Sequence, residues 1–138
     1  MEDIFVARLM SSDVYTVSPD ALVEDAATAM LEHDIGSAVV VDESNAICGI
    51  LTGTDFVRIV AERKPKDRTP VSAYMTEDVV TASAQDSVHE MAELMIDHGF
   101  KHVPIVDDTE GVIGMLSTTD LTAYLSRRDR PNEIAGDV

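Results

Sequence analysis

The residues best placed for chemistry come as two matched sets, Gly49-Ile-Leu-Thr52-Gly-Thr54-Asp55 and Gly114-Met-Leu-Ser117-Thr-Thr119-Asp120. In each, an apolar, strand-like stretch runs into a hydroxyl, a second hydroxyl two residues on, and then a carboxylate. The first amides of a helix have no partner inside the helix, so short hydroxyls at its entrance can join them in holding an anion. A carboxylate one step further can accept from two vicinal hydroxyls, the task an acid performs on ribose in dinucleotide-binding folds. The same spacing also suits plain N-capping, Thr52 with Asp55 and Ser117 with Asp120. Both readings stand at this point, because duplication copies a cap as faithfully as a site.

The elements that must position these sets repeat as well. A shift of 65 residues carries Met10 onto Met75 and superposes 6–63 on 71–128 without a gap. Val6 meets Val71, Asp13-Val14 meets Asp78-Val79, Thr16 meets Thr81, Met30 meets Met95, and Val41-Asp42 meets Val106-Asp107. Each copy opens with a β-branched stretch, Val14 to Val17 or Val79 to Thr81, which reads as a strand. Val23, Ala26, Ala27, Met30 and Leu31 then fall at helical spacing, as do Val88, Met91, Ala92, Met95 and Ile96. Ser87 with Glu90 has the form of a capping box. Ser37 to Val41 with Ile47 to Leu51, and His102 to Val106 with Val112 to Leu116, predict strand pairs joined by tight turns. Helical spacing resumes from Asp55 to Val60 and from Asp120 to Leu125. The fold class is therefore α/β (α+β), with two β-α-β-β-α repeats expected to pack sheet against sheet in pseudo-twofold fashion. Residues 1–63 form the first repeat, 64–70 a proline-bearing linker, 71–128 the second repeat and 129–138 a C-terminal tail with no counterpart in the first copy.

Composition narrows the function. Ten basic residues against 26 acidic ones give a formal charge of −16, a field that repels nucleic acid and anionic membrane alike. The acid is spread along the chain and Lys occurs only at Lys64, Lys66 and Lys101, as expected of a protein from a high-salt cytoplasm, where salt screens self-repulsion. Five of the basic residues, Arg58, Arg63, Lys64, Lys66 and Arg68, lie at or after the end of one helix, where cations either complement its C-terminus or form a local positive patch that admits a polyanion. The lone Cys48 has no intrachain partner and reads as a small core residue. Met1-Glu2-Asp3 lacks the features of a signal peptide and no apolar run reaches membrane-spanning length, so a cytoplasmic protein is expected. Equivalent His33 and His98 suggest packing or capping, and no set of residues has metal-ligand spacing. There is no nucleophile elbow, Walker loop or Cys-His pairing, so no enzyme is expected.

The combination of Leu9-Met10 and Tyr74-Met75, the strand ends at Thr16 and Thr81, the Val-Val-Asp42 and Ile-Val-Asp107 strands, and the GILTGTD and GMLSTTD segments resembles the CBS domain, over nearly the whole chain. The resemblance implies a stand-alone regulatory pair, or Bateman module, whose two clefts bind an adenosine nucleotide, AMP, ADP or ATP, with no required cofactor. It implies one cleft of Ser117, Thr119 and Asp120 with Ser11, Thr16, Ile35 and Gly36, and a second of Thr52, Thr54 and Asp55 with Thr76, Thr81, Phe100 and Lys101. His102, standing where the first copy has Ser37, is placed by the resemblance near phosphate in the Asp120 cleft, or else on a strand surface. It further implies a homodimer through the helices and a regulated enzyme or transporter. The alternatives are an S-adenosylmethionine-type sensor and a protein-interaction module with degenerate clefts.

Overall fold

A computed structural model describes residues 3–128, so the C-terminal tail assigned to 129–138 lies outside the described residues. Helices Val23–His33 (α1) and Val88–His98 (α3) form on their apolar stripes, burying Val23, Ala26 and Met30 in one and Val88, Met91 and Met95 in the other. Leu31 and Ile96, grouped with those stripes by spacing, instead face outward at 83% and 79% exposure. One step past Met30 or Met95 turns about 100° around the axis and leaves the buried stripe.

The helix ends follow local chemistry. Asp34 closes α1 in the left-handed region at φ 53°, and Gly99 closes α3 at φ 72°. The Ser87 hydroxyl accepts from the Glu90 amide at 3.2 Å, which is the first half of the expected capping box. Asp3 adds a carboxylate to this helix entrance, accepting from the Ser87 hydroxyl at 2.7 Å and from the His89 amide at 3.3 Å. That Ser87 bond is the main reason the Asp3 carboxyl sits below the usual carboxylate range.

Strand Thr16–Val17 (β1) pairs in parallel with Ser37–Val41 (β2), which pairs antiparallel with Ile47–Thr52 (β3). In the second repeat His102–Asp107 (β4) pairs with Gly111–Ser117 (β5), and the expected leading strand shrinks to one bridge, Ala82 to Ile105. Both turns are built on an aspartate. Asp42 accepts from the Ser44 and Ala46 amides at 2.8 and 3.0 Å, and Asp107 from those of Thr109 and Glu110 at 2.9 and 3.0 Å. The last helix of each repeat, Gly53–Ala61 (α2) and Thr118–Arg128 (α4), starts two residues before its aspartate.

The compact units cut across the linear repeats. The first holds Val14–Val80 and Asp107–Ile113; the second holds the described residues up to Asp13, Thr81–Val106, and those from Gly114 onward. The core of the first unit contains Val17, Val23, Met30, Val40, Leu51 and Ile59, and also Val71 and Tyr74 from the start of the second repeat. A single 3₁₀ turn, Val71–Ala73, is anchored there by Val71 N–H to Ala21 O at 2.7 Å and Ser72 N–H to Pro19 O at 3.0 Å. The matching turn Val6–Arg8 belongs to the second unit, anchored by Val6 N–H to Asp86 O and Ala7 N–H to Ala84 O, both 2.9 Å. Each repeat thus gives its leading segment to the unit built on the other.

Candidate functional site

Each strand-to-helix junction is flanked by the exchanged leading segment. In the first unit Ile50 of β3 and Thr76 trade amide bonds at 3.0 and 2.9 Å. In the second unit Met115 of β5 and Ser11 do the same, both at 2.8 Å. The preceding glycines permit this approach: a Cβ on Gly49 would lie 2.8 Å from Thr76 O, and one on Gly114 would lie 3.0 Å from Ser11 O and 2.8 Å from Met10 Sδ. Ser11 and Thr76 are exposed on these segments, and Thr54 and Thr119 are exposed on the first turns of α2 and α4.

The first junction is closed around its acid. Thr52 and Asp55 form a capping box, with Thr52 N–H donating to Asp55 Oδ2 at 2.9 Å. Asp55 is only 4% exposed. Its other oxygen, Oδ1, lies 3.5 Å from Arg58 Nη2. Arg58 also donates to Tyr74 O at 3.3 Å and lies 5.5 Å over the Tyr74 ring. The Tyr74 hydroxyl bonds in turn to Glu62, a bond that raises its pKa above the usual phenol value. Sequence assigned Arg58 to the C-terminal end of its helix; its side chain reaches back to the first turn.

The second junction is more open. Ser117 N–H and Oγ–H donate to Asp120 Oδ2 at 2.8 and 2.9 Å, and Asp120 N–H donates to Ser117 Oγ at 3.1 Å. Asp120 is half-buried, and its Oδ1 makes no hydrogen bond among the described residues. Ala123 replaces Arg58 and Leu9 replaces Tyr74 at the equivalent positions. His102 is half-buried at the start of β4; burial first, then the Lys101 charge, hold its pKa below the usual value, with Asp120 opposing them. Near neutral pH this imidazole is a neutral hydrogen-bonding group rather than a fixed cation.

The remaining candidates divide between the units. Thr16, Ile35 and Gly36, grouped by the resemblance with Asp120, lie in the unit of Asp55; Thr81, Phe100 and Lys101, grouped with Asp55, lie in the unit of Asp120. Ile35 packs on the first unit's core, and Thr16 and Gly36 are exposed. Thr81 is half-buried, Phe100 stacks on His98 at 5.3 Å, and Lys101 O accepts from Thr118 N–H at 3.1 Å. His33 stacks likewise on Tyr15, at 5.9 Å. Arg58, Tyr74 and Glu62 were missed as site residues. The three-residue interval from Asp55 to Arg58 was a signal for the ion pair, whereas no local pattern pointed to Tyr74.

Both carboxylates are held as caps, Asp55 buried and Asp120 half-buried. What remains available is acceptor capacity at Asp120 Oδ1 beside hydroxyls and helix-entrance amides, which suits a ligand carrying hydroxyls and an anionic group. Among the described residues no group of three His, Cys, Asp or Glu could hold a metal ion, and no helix is long and apolar enough to cross a membrane.

The CBS domain family model matches residues 6–62 and 71–127. An uncharacterized 17.7 kDa protein of Acidianus ambivalens is 34% identical over 87% of this chain and 72% of its own length. The CBS domain-containing protein YhcV of Bacillus subtilis is 31% identical over 96% of this chain and 91% of its own. Homoserine O-acetyltransferases also match, but the chain spans only 23% of the one from Methanocorpusculum labreanum. Among solved structures, the CBS domain pair of protein MJ0100, in complex with 5'-methylthioadenosine and S-adenosyl-L-methionine, superposes with a TM-score of 0.84 at 25% identity, covering 92% of this chain and 99% of that one. With one match on each repeat and the same fold in its structural neighbours, the chain belongs to the CBS domain family, as a tandem pair.

Proposed function

We propose that this CBS pair is a regulatory sensor that binds an adenosine nucleotide, AMP, ADP or ATP, at its strand-to-helix junctions, with S-adenosylmethionine as the alternative ligand. The observation that carries this reading is the Asp120 junction: a half-buried carboxylate with one oxygen that makes no hydrogen bond among the described residues, beside Ser117, exposed Thr119 and the Ser11 segment. The acid would accept from the ribose diol, and the hydroxyls with the first amides of α4 would face phosphate. The two molecules bound by the MJ0100 pair share an adenosine ribose, which supports this half of the proposal. Thr52, Thr54 and Asp55 with Thr76 form the equivalent set in the first unit.

Regulation, rather than turnover, follows from the chemistry available. Both carboxylates are already engaged through Oδ2 in the caps of their own helices, a positioning role rather than a proton-transferring one. Ligand binding would shift the module between states by its differential affinity for them, and an enzyme or transporter would read the change.

The test is thermal stability in molar KCl with AMP, ADP, ATP and S-adenosylmethionine. A ligand at a hundred times its Kd stabilises by about 2.7 kcal/mol, and Asp120→Ala abolishes most of that gain. Stabilisation by none of the four would transfer the protein to the interaction-module class.

A homodimer through the helices belongs to the same proposal. Leu31, Val57, Val60, Ile96 and Leu125 are large apolar side chains left exposed on helices. An apolar cavity of about 280 Å³ lies between α3 and α4, lined in part by Met95, Ile96, Leu121 and Leu125. Pairing doubles a charge of −16, so sedimentation should show association strengthening from low salt to molar KCl.

A further inference from the structure

We infer that Arg58, seated on Tyr74, is a latch that closes the Asp55 junction, so that the two junctions are unequal ligand sites and the Asp120 junction is the stronger. The inference rests on the sensing function proposed above and adds which junction is used first and which residues decide it.

Three contacts hold the guanidinium in place. It pairs with Asp55 Oδ1 at 3.5 Å, donates to the Tyr74 carbonyl at 3.3 Å and covers the Tyr74 ring at 5.5 Å. Tyr74 is itself fixed, being 6% exposed and bonded through its hydroxyl to Glu62 on the turn that ends α2. With Oδ2 engaged by the Thr52 amide, both oxygens of Asp55 are occupied within the protein. A diol seeking that carboxylate must displace a planar cation that keeps its charge at every accessible pH. The ion pair alone would be a modest obstacle, since the Arg58 side chain is 54% exposed and exposed pairs are weak. Its attachment to a buried aromatic ring and to a backbone carbonyl makes it a closure.

None of Arg58, Tyr74 and Glu62 recurs at the equivalent position of the other repeat. Ala123 stands for Arg58, Leu9 for Tyr74 and Arg127 for Glu62. Asp120 Oδ1 makes no hydrogen bond among the described residues, and the half-buried imidazole of His102 lies near enough to feel the Asp120 charge. The difference arises from three substitutions between repeats that otherwise keep the same register.

The test titrates AMP and, separately, S-adenosylmethionine into single-junction proteins. Asp55→Ala, which leaves only the Asp120 junction, should keep the tighter affinity; Asp120→Ala should bind about tenfold more weakly, the factor expected for losing one charge-assisted hydrogen bond. Adding Arg58→Ala to Asp120→Ala should recover about tenfold, and Tyr74→Leu, which installs the residue of the other repeat, should recover part of it. Equal affinities in the two single-junction proteins, or an Arg58→Ala change that leaves the Asp55 junction unchanged or weaker, would overturn the latch while leaving the sensor intact. A ligand-free arm separates the two ideas. Carbodiimide coupling of glycinamide, read by mass spectrometry, should label Asp120 several-fold faster than Asp55, with Arg58→Ala raising the Asp55 rate and Arg58→Lys raising it less. Equal labelling rates refute the latch. Absence of binding in every protein refutes the sensor, and the labelling then decides the latch alone.

Discussion

The junctions at Asp55 and Asp120 descend from one sequence pattern and differ in what surrounds the acid. Around Asp55, which is 4% exposed, Arg58 pairs with the carboxylate and is itself seated on Tyr74. Around Asp120, Ala123 and Leu9 stand in those places, and one carboxylate oxygen has no hydrogen bond among the described residues. A duplicated motif therefore preserves the cap, which needs only local geometry, while its availability to a ligand depends on neighbours several residues away. The first junction is the better structural element and the second the better candidate site.

Backbone crowding offers the strongest way to separate them. Gly49→Ala should destabilise by about 2–3 kcal/mol, because its Cβ would sit 2.8 Å from the Thr76 carbonyl and overpacking has costs of this size. Gly114→Ala should cost less, about 1–2 kcal/mol, since its nearest atom is the flexible Met10 sulfur at 2.8 Å. Urea unfolding of the two variants gives the order; the reverse order would mean that the leading segments are seated unequally in the opposite sense.

Neutralising the acids should have the next largest effect. Asp55→Asn removes charge from a buried group that serves both the Thr52 amide and Arg58, and is expected to cost about 2 kcal/mol. Asp120→Asn disturbs only the cap, at about 1 kcal/mol. Equal losses in denaturant melts would erase the energetic distinction between the junctions.

His102 supplies the smallest effect and one confined to the second unit. Its folded pKa is depressed, chiefly by burial, below an unfolded value of about 6.5. Between those values the unfolded chain binds more protons, so the stabilising contribution is complete above about 6.5 and is lost as pH falls through the folded pKa. His102→Ser, which copies Ser37 of the first repeat, should therefore lose less stability than the wild type between pH 7 and pH 5 in parallel thermal melts. Identical slopes for the two proteins would show that burial of this imidazole has no energetic weight.

Much of the scaffold was legible because it is written in short-range patterns. The stripes of α1 and α3, the aspartate turns at Asp42 and Asp107, and the hydroxyl-to-acid caps each depend on residues within a few positions of one another. The outward aspect of Leu31 and Ile96 was not read correctly, since five apolar positions in one helix do not reveal where the buried arc ends. The bond of Asp3 to the Ser87 hydroxyl was invisible for a different reason: the two are 84 residues apart.

The register of the duplication, the family and the placement of Thr52, Asp55, Ser117 and Asp120 at helix entrances were determined by the amino-acid sequence alone, because periodicity and capping are local and survive copying. Only the tertiary structure decided that each repeat lends its leading segment to the unit built on the other, and that Tyr74 arrives beside Arg58. An apolar turn such as Val6–Arg8 or Val71–Ala73 would satisfy its own pattern in either unit. The choice is made by backbone pairing and packing between segments distant in the chain, of which the linear pattern holds no record.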